Sequence, residues 1–314
     1  MRKKAIIISI KGPKLSSKEK LLLLKEKPWG LILFKRNIIS LDQIKKLIND
    51  IKNATNDNKF PILIDEEGSS VSRLRNIFNH NISANYFGKL YNLDNNVAIS
   101  LYKQYLNSLC EKLKEIGINI NTIPVLDVLR KNTNKIIGKR SFSENQKIVK
   151  KFGDITIKKC HSQNIITVIK HIPGHGCSTA DSHLTLPKVN LSVKNLENVD
   201  FLPFKSSSAK LAMTAHIVYS KIDPKNVATF SNKIINKIIR KKIGFDGIIM
   251  SDDISMKALK YDLVSNAKKS LIAGCNLVLY CAGNIKDNFK LIKNVPYIDK
   301  FTAKKTSEIY KILR

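Results

Sequence analysis

The sequence predicts a single-domain α/β protein, a (β/α)8 TIM-like barrel over residues 1–314. Eight short apolar runs alternate along the chain with segments of helical periodicity. Several of these runs are continuous and rich in β-branched residues, which is typical of parallel strands covered on both faces. No long linker or low-complexity segment divides the chain. Alternating strands and helices in one uninterrupted chain favour a barrel.

The eight apolar runs are the predicted barrel strands. In chain order they cover residues 5–10, 30–34, 61–65, 118–126, 166–171, 211–217, 247–252 and 276–281. Polar residues stand at or just after the ends of several runs: Asp65, Asp127, Lys170, His171, His216 and Asp252. Active sites of this fold lie at the carboxyl ends of the strands, so we expect these side chains to converge there.

Six amphipathic segments are predicted as helices. Ser40 is a helix cap, and apolar residues recur at three- and four-residue intervals from 41 to 51. A longer segment, 95–116, ends at Gly117, as is typical of a helix C-terminus. The remaining predicted helices lie near 145–163, 232–242, 255–273 and 302–313.

The net charge of +30 is the strongest compositional deviation. Such a charge can indicate a nucleic-acid or membrane partner. However, the basic residues are dispersed rather than clustered with aromatic residues, and Ile, Asn and Lys are abundant together, as expected from an AT-rich genome. We therefore expect no dedicated nucleic-acid partner, although the charge can still attract anionic substrates.

No apolar run approaches the roughly 18 residues of a transmembrane helix, so we expect no membrane insertion. The apolar stretch near the start of the chain is too short for a signal peptide. Five dispersed cysteines without CxxC spacing fit a reducing compartment. These features predict a cytoplasmic protein, and we expect a monomer.

The most informative segment reads KHIPGHG at 170–176, followed by DSH at 181–183. Its glycines allow unusual backbone angles and its proline ends the strand, which predicts a flexible loop over the barrel mouth. Asp181 and His183 are two positions apart and can face each other in a turn. A carboxylate beside an imidazole fixes its tautomer and raises its pKa, as a catalytic acid requires.

Two alternatives apply to this segment. Its histidines can be unrelated loop residues, but half of the six histidines in the chain fall within 171–183. A zinc site is suggested by the spacing of His171 and His175, although Pro173 and two glycines break the helix that this spacing requires. Nothing in the sequence activates Cys177 as a nucleophile.

A second segment, 248–256, is an apolar strand that ends in Asp252 and Asp253 before a predicted helix. Either Asp253 or Ser251 can cap that helix while Asp252 projects into the barrel. A cap alone would explain the pattern equally well, so this segment by itself leaves the role of Asp252 open.

Two further segments supply a carboxylate and arginines. Asp65 ends the third strand and Arg73 follows eight residues later, a pair that can bind sugar hydroxyls or be a surface ion pair. Arg140 follows a glycine turn within 137–142, where a solvated basic run is the alternative. For Asp127 and His216, a buried and hydrogen-bonded structural role is favoured.

Together these segments resemble the bacterial β-N-acetylglucosaminidases (β-hexosaminidases) of glycoside hydrolase family 3, the single-domain type that serves peptidoglycan recycling. The resemblance extends over most of the chain and rests on GLILFKRN at 30–37, PVLDV at 124–128, KHIPGHG at 170–176, DSH at 181–183, MTAH at 213–216 and SDDISM at 251–256. Several long motifs in the family's order make it specific.

The resemblance implies a retaining exo-β-N-acetylglucosaminidase that acts on peptidoglycan-derived anhydromuropeptides. Asp252 would be the nucleophile that forms a covalent glycosyl intermediate, and His183 would be the acid/base, oriented by Asp181. The implied N-acetylglucosamine-binding residues are Asp65, Arg73, Arg140, Lys170 and His171. A TIM-like barrel is implied, with no cofactor and no metal.

The chain departs from the family pattern at Ser69 and Ser70, which replace the usual glycine and first arginine after the third strand. We expect altered loop stability or affinity there rather than lost chemistry. Two other functions stay open from the sequence. One is a phosphorylase on the same scaffold, because a histidine acid/base repels phosphate less than a carboxylate does. The other is an inactive carbohydrate- or nucleic-acid-binding barrel.

Overall fold

A computed structural model describes residues 2–79, 81–178 and 186–313, and eight parallel strands among them close a barrel. Each strand pairs with its neighbours in the chain, and the eighth pairs with the first. The strands are β1 Lys4–Ile8, β2 Pro28–Leu33, β3 Ile62–Ile64, β4 Ile120–Asn121, β5 Ile166–Ile172, β6 Leu211–Thr214, β7 Ile248–Asp253 and β8 Leu277–Leu279. The predicted fold class and all eight strands are confirmed.

Several strands are shorter than predicted, and two of them have an identifiable reason or consequence. The run 118–126 forms only the two-residue strand β4, because Pro124 has no backbone N–H to continue the ladder. The run 211–217 leaves the barrel after Thr214. Beyond it, Val218–Tyr219 pairs with Lys188–Val189 in a separate two-stranded sheet, which the sequence pattern did not predict.

Helices cover the outside of the barrel. In the described part of the chain they are Ser17–Glu26, Leu41–Thr55, Ala84–Leu93, Asn95–Ile116, Gln146–Ser162, Val193–Asn198, Lys233–Ile243, Leu263–Ala273, Ile285–Asn294 and Lys300–Ile312. Five of the six predicted helices are confirmed with bounds that differ by no more than four residues. None of the described helices is long and apolar enough to cross a bilayer.

The predicted helix 255–273 begins only at Leu263, because Asp262 caps it there by accepting the N–H of Val264 at 3.0 Å. Four helices were missed altogether. One of them carried a readable signal, since Ser16 and Glu19 form a capping box in which the Ser16 N–H donates to Glu19 Oε2 at 2.8 Å.

Two apolar cores lie on the two faces of the barrel sheet. Inside the barrel, one apolar cluster contains Ile7, Leu63, Ile166 and Met250, and all four side chains are fully buried. On the outer face, the other strand residues pack against the helices. Burial on both faces explains why the strands read as continuous apolar runs rather than as alternating ones.

Candidate active site

A cavity of about 340 Å³ opens at the carboxyl ends of the barrel strands. This volume is at the lower end of the range for small-molecule sites. The cavity brings together six of the eight predicted site residues: Asp65, Arg73, Arg140, Lys170, His171 and Asp252. The other two, Asp181 and His183, lie outside the described residues.

Lys170 is the centre of the cavity wall on the side of β3 to β5. Its ammonium group donates to Asp65 Oδ1 at 3.0 Å and to Thr122 Oγ1 at 2.8 Å, and it lies 2.6 Å from Glu67 Oε1. An ammonium group has three N–H donors, so each of them has an acceptor. Only 3% of the Lys170 side chain is exposed, and a buried charge of this kind requires such compensation.

Arg140 is fixed in the same wall by a bidentate ion pair. Its Nε lies 2.7 Å from Glu67 Oε2, and its Nη2 lies 2.9 Å from Glu67 Oε1. Two parallel bonds fix the planes of both groups. Lys139 is exposed, whereas Arg140 is largely buried, so the solvated-run alternative is wrong for Arg140.

The wall keeps its two carboxyl groups ionised. Burial alone would raise the pKa of Asp65, but the charges of Lys170 and Arg73 hold it far below its ordinary value. For Glu67, burial is likewise outweighed by Arg140 and Lys170, which lower the pKa to about 2. At neutral pH the wall is therefore a network of charged donors and acceptors.

Arg73 completes this wall through Asp65, since its Nη2 lies 3.2 Å from Asp65 Oδ2. The loop that carries Arg73 is held from below by Glu66, a fully buried carboxyl group. Glu66 Oε2 accepts the backbone N–H of Arg73 at 2.7 Å and that of Leu74 at 2.9 Å. The Asp65–Arg73 pair thus belongs to the cavity and is not an isolated surface ion pair.

Asp127 lies fully buried beneath the end of β5. Its Oδ2 is 2.7 Å from His171 Nδ1, and its Oδ1 accepts the backbone N–H groups of His171 and His175 at 3.2 and 2.6 Å. Burial would raise the pKa of Asp127, but His171 lowers it to about 2. An ionised carboxylate at Nδ1 favours the tautomer with a proton on Nδ1 and fixes the ring orientation.

Asp252 and Asp253 divide the two tasks that the sequence left open. Asp252 lines the cavity, and its Oδ1 accepts the backbone N–H of Asp253 at 2.8 Å. Asp253 Oδ1 accepts the backbone N–H groups of Ser255 and Cys281 at 3.0 and 3.2 Å. Asp253 therefore caps the turn after β7, although no helix begins there, and Asp252 faces the space above the barrel.

The segment 174–178, which leads from β5 towards the predicted acid/base pair, is held firmly. The Tyr219 hydroxyl donates to the Gly174 carbonyl at 2.6 Å, and Thr133 Oγ1 donates to the Gly176 carbonyl at 2.5 Å. The first residues of the loop are thus bound to the barrel mouth rather than directed away from it.

His175 connects this segment to the cavity, because its side chain lines the cavity wall. Burial, together with the neighbouring ring of His171, lowers the pKa of His175 to about 4. The charges of Asp127 and Asp252 oppose this shift.

The profile of the glycosyl hydrolase family 3 N-terminal domain matches residues 2–307. The chain belongs to glycosyl hydrolase family 3.

Three relatives are similar to this chain over most of their own length. A β-hexosaminidase of Idiomarina loihiensis is 34% identical over 280 residues, which cover 88% of this chain and 83% of that protein. A β-hexosaminidase of Neisseria meningitidis is 33% identical over 300 residues, covering 92% and 82%. NagZ from Neisseria gonorrhoeae, crystallised in complex with N-trifluoroacetyl-D-glucosamine, is 30% identical with a TM-score of 0.88, covering 98% of this chain and 90% of that chain. The chain is a glycoside hydrolase of the β-hexosaminidase kind.

The sequence patterns assigned no role to Glu67, which lines the cavity, or to Thr122, which accepts a hydrogen bond from Lys170. Glu67 could have been predicted as a site residue, because it lies two positions after the predicted site residue Asp65. Side chains two positions apart in an extended chain point to the same side. Thr122 carried no signal, since a threonine within a strand pattern is unremarkable. Asp127 and His216 are fully buried and hydrogen-bonded, as predicted.

The departures from the family pattern fall on the rim of the cavity. Ser70 lines it, and the Ser69 carbonyl accepts a hydrogen bond from Arg75 Nη2. As for the zinc alternative, the rings of His171 and His175 are 5.6 Å apart. In the ranges that the structure describes, no group of three or more His, Cys, Asp or Glu residues is placed to hold a metal ion.

Proposed function

We propose that the chain is a retaining exo-β-N-acetylglucosaminidase in which Asp252 attacks the anomeric carbon and Asp181 with His183 forms the acid/base pair. The observation that carries this proposal is the position of Asp252, which is the second-to-last residue of β7 and lines the same cavity as the proposed sugar-binding residues Asp65, Arg73, Arg140, Lys170 and His171. We further propose that residues 1–314 act as one catalytic domain.

The ionised wall suits a sugar. Carboxylates accept hydrogen bonds from hydroxyl groups, and Arg73 and Arg140 donate to sugar oxygens. Lys170 contributes by holding Asp65 and Glu67 in place. Each of these groups is already held by partners within the protein, so little entropy is lost when the sugar binds. The N-trifluoroacetyl-D-glucosamine complex of the gonococcal relative supports N-acetylglucosamine as the sugar of this cavity.

In the first step, a carboxylate oxygen of Asp252 forms a bond to the anomeric carbon while the bond to the glycosidic oxygen breaks. His183 donates its proton to that departing oxygen. In the second step, His183 removes a proton from water, and the resulting hydroxide displaces Asp252 from the sugar. Two displacements return the original anomeric configuration, which is the retaining outcome.

This mechanism requires His183 to reach the anomeric carbon next to Asp252. Five peptide units join Ser178 to His183, which limits their Cα separation to at most about 18 Å. The segment 174–178 is bonded to the barrel mouth and His175 lines the cavity, so a chain of this length allows His183 to reach the sugar.

We propose peptidoglycan-derived muropeptides as the substrates, acted on by a cytoplasmic monomer. The β-hexosaminidase relatives support an N-acetylglucosaminide substrate, and the excess of basic residues suits aglycones that carry carboxylates. No dedicated nucleic-acid partner is part of this proposal.

The test is hydrolysis of a chromogenic aryl N-acetylglucosaminide by the wild type and by Asp252→Asn, with the glucoside and xyloside as sugar controls. Loss of a nucleophile costs about 10⁴-fold or more in kcat in comparable covalent mechanisms. We expect a loss of this size with an unchanged thermal melt. Asp262→Asn, which alters an exposed helix cap away from the cavity, should retain activity.

Near-normal turnover by Asp252→Asn would refute the assignment of the nucleophile. The reaction products distinguish the phosphorylase alternative, since sugar 1-phosphate as the main product in phosphate buffer would overturn hydrolysis. Salt-sensitive nucleic-acid binding without any glycosidase activity would favour the inactive binding barrel.

A further inference from the structure

His216 is a fully buried histidine just beyond β6, and the mechanism above does not use it. Its side chain does not line the cavity. It nevertheless contacts the end of β7, where its Nε2 lies 3.1 Å from the carbonyl oxygen of Asp253. On the other side of the ring, Nδ1 lies 2.7 Å from Thr229 Oγ1. Both ring nitrogens are thus bound to fixed partners.

These partners determine the tautomer of the ring. A backbone carbonyl only accepts, so Nε2 of His216 must carry the proton and donate to Asp253. Burial lowers the pKa of His216, which leaves the ring neutral and makes Nδ1 an acceptor. The Thr229 hydroxyl then donates to Nδ1, and it accepts in turn from Thr214 Oγ1, 2.8 Å away.

Asp253 transmits this constraint to its neighbour. Its backbone N–H donates to Asp252 Oδ1 at 2.8 Å, and its side chain accepts from Ser255 and Cys281. The next amide, that of Ile254, donates to the Leu279 carbonyl at 2.9 Å. With His216 on the Asp253 carbonyl, the backbone is held immediately after Asp252, at the point that aims the Asp252 carboxylate.

We propose that His216 is a positioning residue for Asp252, acting through the Asp253 backbone to fix the direction from which the carboxylate attacks. The inference rests on the proposed function, because it assigns a role relative to the nucleophile. A displacement of about 1 Å at a reacting group can cost about 100-fold in rate, so loss of this bond should appear in kcat. Sugar binding depends on the opposite wall and should change little.

Two variants separate the bond from the bulk of the side chain. The amide nitrogen of glutamine can reach the position of His216 Nε2, whereas the amide group of asparagine reaches only the position of Nδ1. For His216→Asn we expect kcat on an aryl N-acetylglucosaminide to fall about 10- to 100-fold, with KM within about threefold of wild type. His216→Gln should recover most of kcat.

A purely structural role would give a different result. It would lower the melting temperature and the active fraction of both variants without the recovery by glutamine. Equal kcat for wild type and His216→Asn, or equal losses in the Asn and Gln variants, would overturn the proposal. His161→Asn, a histidine on the helix Gln146–Ser162 away from the cavity, is the matched control and should keep wild-type kinetics.

If His216→Asn does not fold, Thr229→Val tests the same chain of bonds, because it removes the hydroxyl that donates to His216 Nδ1 and keeps the side-chain shape. We expect a smaller fall in kcat, about three- to tenfold, again without a rise in KM; unchanged kcat would count against the proposal. Asp252→Asn distinguishes failure of the proposed function from failure of the positioning role of His216. If that variant is active, the proposed function fails; if it is inactive while the His216 and Thr229 variants behave as wild type, only the positioning role fails.

Discussion

The two sides of the cavity are built in different ways. On the side of β3 to β5, Lys170, Arg140, Asp65 and Glu67 form a network in which buried charges are matched by partners from other strands. On the side of β7, Asp252 stands at a strand end and receives a hydrogen bond from the next residue of its own backbone. The first side is a preformed network of charged groups, whereas the second holds a single carboxylate, the proposed nucleophile, in a defined direction.

This difference teaches how the chain divides binding from chemistry. In the proposed function, the wall binds the sugar with groups that are already ordered and that also contribute to the stability of the fold. The proposed nucleophile is carried by a barrel strand, and the proposed acid/base pair follows, in the sequence, a segment whose first residues are bonded to the barrel mouth. Changes to the wall should therefore alter stability and affinity together, while changes on the catalytic side should alter rate.

A first test of this comparison concerns the proposed acid, His183, through the variant His183→Ala. For a disaccharide with a poor leaving group, kcat/KM should fall by about 100-fold or more, because the departing oxygen needs a proton. For an aryl glycoside with an acidic phenol, the fall should stay below about tenfold. Steady-state kinetics on both substrates measures the split. Ser182→Ala is the control in the same segment, and equal losses on the two substrates would contradict the acid role.

A second test breaks the wall. Lys170→Met leaves Asp65 and Glu67 without their shared cation, and removing one partner of a buried ion pair costs about 3–5 kcal/mol. We expect urea denaturation to show a loss of this size, and KM to rise. The matched control is Lys305→Met, whose partner Asp246 is 79% exposed and whose loss should cost under about 1 kcal/mol. A Lys170→Met protein as stable as wild type would show that the network does not support the fold.

The smallest expected effect is on the pH dependence of stability and concerns His161. Unlike the charged groups of the wall, this histidine is buried without a partner of opposite charge. Burial, with Lys210 nearby, lowers the pKa of His161 to about 4 from its ordinary 6.5. Between these values the unfolded chain binds more protons, so stability should fall as the pH drops through this window. From pH 7.5 to 5 the contribution is about 2 kcal/mol.

Urea denaturation at both pH values, for wild type and His161→Gln, measures this contribution. The variant should lose less stability than wild type on acidification. Glu67 does not confuse the result, because its pKa of about 2 means that its stabilisation is lost only below about pH 4.5. An identical pH dependence in the two proteins would contradict the prediction.

The fold and part of the site could be predicted from the sequence, because both depend on local patterns. Strand periodicity predicted the eight strands, and polar residues at strand ends predicted Asp65 and Asp252 in one cavity. The pairing of Lys170 with Asp65, 105 residues apart, could not be predicted, since barrel closure decides which strand ends meet. The hydrogen bond from the Arg73 backbone to the Glu66 carboxylate could not be predicted either, because it depends on the path of the loop between them.

The most direct measurement is chemical rescue of Asp252→Ala with sodium azide on an aryl N-acetylglucosaminide. A small anion can occupy the space of the removed carboxylate and attack the anomeric carbon from the same face. The account predicts that azide restores turnover and that the product is the α-glycosyl azide, inverted relative to the β-substrate. A β-glycosyl azide, or full hydrolysis without azide, would show that Asp252 is not the nucleophile.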